Sequence, residues 1–192
     1  MQPATVPVRI PPLDPPYEPE MEAILGKWMP PGSTVEPLKL FRTLVRNREI
    51  SERMRVLGAG ILGRTSSIDL ADREIVIDRV CARCGCEYEW GVHVTSFGPR
   101  LAISESVLQA TASSTANDPI WSDRQRMLVR LVDELHDTSC VTDALWSELA
   151  RVWSPEQLLE LLTITGFYHM ISFLANAAGV PLESWAARFP NR

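Results

Sequence analysis

From Pro37 onward the hydrophobic and polar positions recur at the period of a helix, and no stretch alternates strictly between turn residues as a strand would. The pattern predicts an all-α body. Leu40, Phe41, Leu44 and Val45, continued by Met54 and Leu57, form the apolar stripe of a first long helix over roughly Leu38 to Leu62. Ser66 to Asp69 break the chain, and Asp69 can cap a second helix that carries Asp72, Arg73 and Glu74 in its first turn and ends at Gly85. A third helix runs from about Cys86 to Phe97, where Gly98 and Pro99 stop it. Ser122 with Gln125, and Ser154 with Gln157 around Pro155, have the form of capping boxes for two later helices. In the first of these, Met127, Leu128, Leu131, Val132 and Leu135 make one buried face.

The last helical stretch, Leu158 to Ala178, is apolar nearly all round, which suits the centre of a bundle or a subunit interface. Leu161 to Val180 is long enough to cross a bilayer, but Thr163, Thr165, Tyr168, His169, Ser172 and Asn176 interrupt it. A core helix is the better reading, and no membrane partner is expected.

Ahead of the body the pattern changes. Ten of the 15 prolines fall within the first 37 residues, so residues 1–37 form an extended arm in which no long regular helix or central strand fits. Inside it Met21, Ile24, Leu25 and Trp28 predict one short helix within Tyr17 to Trp28. The arm is expected to wrap the body, residues 38–192, or a neighbouring subunit. The 192-residue chain is 22% charged and 45% hydrophobic, which fits a folded single domain. A net charge of −5 with no Lys/Arg cluster speaks against nucleic acid. With no basic start followed by an apolar run, and with Cys81, Cys84 and Cys86 crowded together while Cys140 stands alone, the expected location is the cytoplasm.

The chemistry concentrates between Asp72 and His93, in D-R-E-I-V-I-D-R-V-C-A-R-C-G-C-E-Y-E-W-G-V-H. Glu74, Ile77 and Cys81 share one face of the second helix; Cys86, Glu89, Trp90, His93 and Phe97 share one face of the third. If Gly85 folds the two helices into a hairpin, Glu74 approaches His93. A carboxylate that orients an imidazole is the wiring of a proton relay, and a nearby thiol would be activated by it. Gly58, Gly60 and Gly63, followed by Arg64 and Thr65, fit a glycine-rich phosphate loop only in spacing, because no strand precedes them. A Cys₃His zinc site from Cys81, Cys84, Cys86 and His93 is disfavoured because the first two cysteines lie within a predicted helix, and no metal is expected. His136 reads as a surface residue near a helix end, and His169 as a packed residue of the last helix or an interface.

The stretch R-E-I-V-I followed by C-E-Y-E-W-x-x-H resembles the signature of the carboxymuconolactone decarboxylase family, which includes the AhpD-type alkylhydroperoxidases. The segment W-S-P-E-Q-L-L-E-L-L-T-I-T-G-F-Y-H-M-I, with G-V-P-L-E after it, is similar to the C-terminal part of full-length members, so the resemblance spans roughly Leu38 to Glu183. It implies an AhpD-like helical bundle that assembles as a homotrimer or homohexamer. In the alkylhydroperoxidase branch the motif is Glu followed by Cys-x-x-Cys-x-x-x-His. Here Glu74, Cys86 and His93 match it, but Glu89 stands where the attacking cysteine belongs.

The C-E-Y-E-W-x-x-H form is closer to the decarboxylase branch. That likeness implies cofactor-free acid–base chemistry, a decarboxylation or related lyase or isomerase step, on a small organic acid or lactone. Glu74, Cys86, Glu89 and His93 are then the catalytic candidates, with His93 and Glu74 moving the proton and Glu89 orienting His93. Tyr88, Trp90, Arg73 and Arg83 are the substrate-binding candidates, with Arg79 a further possible anion anchor. Two alternatives stay open: a thiol-dependent peroxidase that uses Cys86 with Cys84 or Cys81, and a non-catalytic oligomeric binding protein.

Overall fold

The computed structural model describes residues 6–30, 32–33, 35–63 and 65–190. Among these there are nine α-helices and no strand: α1 (Pro19–Gly26), α2 (Lys39–Leu44), α3 (Arg48–Ile61), α4 (Leu70–Arg83), α5 (Glu87–Phe97), α6 (Glu105–Ser113), α7 (Asp123–Thr138), α8 (Asp143–Leu149) and α9 (Pro155–Ala178). The all-α, single-domain reading is what the structure shows. Its boundaries follow local chemistry. Asp69 accepts hydrogen bonds from the amides of Ala71 and Asp72 to open α4, and both expected capping boxes, at Ser122 and Ser154, are present. Ser104 and Thr142 cap α6 and α8 in the same way.

The single first helix expected from Leu38 to Leu62 is in fact two. Val45 ends α2, and the Asn47 side chain accepts the Ile50 amide at 3.2 Å, so a new helix starts in the middle of the apolar stripe. Gly58 and Gly60 lie inside helical α3, which removes the phosphate-loop reading; Arg64 of that motif lies outside the described residues.

The centre of the bundle is α4. Eleven of its 14 residues are buried, under α5, α6, α7 and α9. The α9 helix lies beside it. Leu161, Ile164, Tyr168 and Ile171 of α9 are buried while Leu159 and Phe173 are 66% and 64% exposed. Arg79 ties the layers together: its guanidinium pairs with both carboxylate oxygens of Asp133 on α7 at 2.8 Å and donates to the carbonyls of Thr111 and Ser114.

The arm lies on this body. The Arg9 and Ile10 amides donate to the Ala178 carbonyl at 2.8 and 3.1 Å, Arg46 donates to the Pro11 carbonyl, and Trp28 packs against Phe41. Gly179, which ends α9 at φ +66°, is required twice over: a Cβ there would be strained and would sit 2.3 Å from the Pro7 carbonyl oxygen.

Candidate active site

The turn between α4 and α5 builds the site. Cys84 ends α4, Gly85 takes φ +63°, and the Cys86 amide donates back to the Cys81 carbonyl at 2.8 Å, a tight helical C-terminus that reverses the chain. Glu74 and His93, 19 positions apart, are thereby brought face to face: the His93 Nδ1–H donates to Glu74 Oε2 at 2.7 Å, with both side chains buried. The other Glu74 oxygen accepts from Arg73 Nε at 3.1 Å, and Arg73 also donates to the Ile61 carbonyl. Glu89, one turn before His93 on α5, holds Oε2 3.6 Å from Nε2. That is too long for an ordinary hydrogen bond, so Nε2 feels Glu89 as a nearby charge. Phe97 stacks on the imidazole at 5.0 Å and Tyr168 of α9 meets it edge-on at 5.1 Å, which fixes the ring plane.

Burial alone would lower the basicity of His93. The Glu74 charge and hydrogen bond, supported by Glu89 and Asp78, outweigh it and raise the pKa from 6.5 to about 8. Burial pushes Glu89 up, and the His93 charge offsets part of that. One further buried group was passed over in the sequence. Asp78, one turn after Glu74 on α4, is 1% exposed, its Oδ1 has no hydrogen-bond partner among the described residues, and burial followed by the Glu74 charge raises its pKa well above that of an ordinary carboxylate. The i, i+4 spacing from Glu74 was the available signal.

Of the eight expected site residues, Glu74, His93, Glu89 and Arg73 come together. The others are held by the protein's own frame. The Tyr88 hydroxyl accepts the Leu40 amide and donates to Glu183 Oε1 at 2.7 Å, and Trp90 Nε1 donates to Thr111 Oγ1 at 2.9 Å while its ring packs on Phe189. Arg83 pairs with Asp133 and Asp137 on α7, and Arg79 with Asp133, so neither guanidinium anchors an anion at His93. Cys86 is fully buried at the start of α5; burial and the Glu89 charge push its thiol up to about 12. Burial likewise raises Cys81 and Cys84, and all four cysteines are free thiols.

No protein-family model and no curated protein matches the chain in sequence. The fold does have a solved counterpart: an uncharacterized peroxidase-related protein from Silicibacter sp. TM1040 superposes with a TM-score of 0.77 over 99% of this chain and 97% of its own, at 13% sequence identity. At that identity the likeness is one of fold.

Proposed function

We propose that the chain is a proton-transfer enzyme of the AhpD-like superfamily, in which His93 is the general acid and base, Glu74 orients and charges it, and Glu89 tunes its outer nitrogen. The observation that carries this reading is the buried 2.7 Å contact between Glu74 and His93 Nδ1. It fixes the tautomer and leaves Nε2 as the working atom. With a pKa of about 8, His93 is mostly imidazolium at neutral pH and holds a proton to give.

The reaction that best suits such a site is cofactor-free decarboxylation, or a related lyase or isomerase step, on a small organic acid or lactone. The carbon–carboxylate bond breaks to release CO₂, its electron pair passes into the unsaturated system, and His93 Nε2–H protonates the carbon. Water then restores the proton to His93. Arg73, whose Nε and one NH group are taken by Glu74 and the Ile61 carbonyl, is the cation this reading assigns to an anionic substrate. The same reading places a homotrimer or homohexamer interface on the exposed apolar stripe of α9, where Leu159, Met170 and Phe173 lie in the open.

A test panel of small unsaturated lactone carboxylic acids, followed by CO₂ release, should find one that the protein turns over, with His93→Ala slower by about two to four orders of magnitude. Turnover that survives in His93→Ala overturns the assignment.

The peroxidase-related description of the structural counterpart favours a second reading, hydroperoxide reduction by Cys86 with Cys84 or Cys81. The raised thiols weigh against it, because the thiolate is the nucleophile and burial suppresses it.

A further inference from the structure

Away from His93, the C-terminal end of α4 meets α7 and α9 at three residues that the proton-transfer site does not use. Cys84, His136 and His169 each present one donor atom, and the three atoms lie within 4.8 Å of one another. Cys84 Sγ is 3.9 Å from His136 Nδ1, and the His136 and His169 imidazoles stack with centroids 5.0 Å apart and an interplanar angle of 5°. The three side chains are half-buried and so reachable from solvent. Glu74 and Cys84 are separated by ten positions of one helix, roughly 15 Å of rise, which makes this a separate place in the molecule.

We propose that Cys84, His136 and His169 bind a divalent d-block ion of the zinc type through one thiolate and two imidazole nitrogens. The donor set fits such an ion: sulfur and imidazole are its preferred ligands, and three protein donors leave a fourth, open position for water or a small anion. Donors around a tetrahedral ion stand roughly 3.3–3.6 Å apart, so closing the present triangle takes side-chain shifts of about 1 Å.

The surroundings suit a cation. Among the described residues neither imidazole has a carboxylate partner to claim its nitrogens. Arg83, whose charge reaches the thiol, is paired with Asp133 and Asp137 of α7. From α9 the site is faced by Phe173, whose ring lies 5.3 Å from His169, by Ser172 and by Asn176, whose amide donates to the Cys84 carbonyl at 2.9 Å and pins the end of α4 to α9. Binding transfers the Cys84 thiol proton to water and staples three helices that no covalent bond joins.

The test is metal titration of the intact protein after treatment with a chelator. Zn²⁺ should bind at one equivalent per chain in competition with a chromophoric chelator, and Co²⁺ should give a thiolate charge-transfer band with tetrahedral d–d absorption. Cys84→Ser should abolish the band and weaken Zn²⁺ binding on the order of a hundredfold, with His136→Ala and His169→Ala each weakening it on the order of tenfold or more. Cys140→Ser should bind as the wild type does. No thiolate–cobalt band in the wild-type protein overturns the proposal without recourse to any variant. A band or affinity that persists in a folded Cys84→Ser, as judged by circular dichroism, does so too, because the ion is then held elsewhere.

Discussion

Glu74 Oε2 and His93 Nδ1, on antiparallel neighbours of one helical hairpin, are 2.7 Å apart in the interior of the bundle, with each side chain at most 5% exposed. Arg73 lies on the far side of Glu74, and the charges of Glu89 and Asp78 join that of Glu74 in raising the His93 pKa.

The first consequence is a pH dependence of stability. The folded-state pKa of His93 is raised from 6.5 to about 8, so its contribution is fully present below pH 6.5 and is lost as pH rises through about 8. A shift of that size corresponds to about 2 kcal/mol. Chemical denaturation at pH 6 and pH 9 should show the lower stability at pH 9, and His93→Gln should flatten the difference. Equal slopes in the two proteins contradict the assignment.

Activity follows the same group. If imidazolium is the acid, turnover of an acid or lactone substrate falls as pH rises through about 8. Glu74→Gln should move that limb to lower pH as well as reduce kcat. A limb that stays in place in the variant would mean that Glu74 has no part in charging His93.

The thiols of Cys81, Cys84 and Cys86 should be inert toward hydroperoxide. With Cys86 at about 12 and Cys81 and Cys84 raised, brief exposure to a stoichiometric hydroperoxide should leave the free-thiol count unchanged, and Cys86→Ser should keep its acid–base turnover. Rapid loss of two thiols per chain favours the peroxidase reading instead.

Tyr88 separates framework from chemistry. Its hydroxyl joins the Leu40 amide to Glu183, so Tyr88→Phe leaves a buried donor without its acceptor and should cost about 1–3 kcal/mol of stability. Its kcat should not change; a large loss of kcat at full stability would return Tyr88 to the substrate.

Gly85 tests the hairpin itself. Nothing lies within 4 Å of a Cβ placed there, so Gly85→Ala meets only backbone strain at φ +63°, about 1–2 kcal/mol by thermal or chemical denaturation. A neutral substitution would show that the turn can relax without it.

The hairpin was legible in the sequence because its parts are local: Asp69 as cap, Gly85 as the reversal, and helical spacing that puts Glu74 and His93 on facing sides. The partners of Tyr88, Trp90 and Arg83 were not legible. Glu183, Thr111 and Asp137 are 95, 21 and 54 positions away, and nothing in local periodicity links them. The break at Asn47 was hidden because the apolar stripe runs on through it, and the centrality of α4 because Arg73 and Arg79 look like surface residues until their partners are known. Cys84, His136 and His169 come from three helices, and only the fold collects them.

The most direct test of the account is an NMR titration of the His93 imidazole in the wild-type protein and in Glu74→Gln. The account predicts a midpoint of about 8 in the wild type and a clear fall in the variant, where burial loses its main opponent. A His93 that titrates at its ordinary 6.5 in the wild type, or at the same pH in both proteins, contradicts a Glu74-driven proton relay.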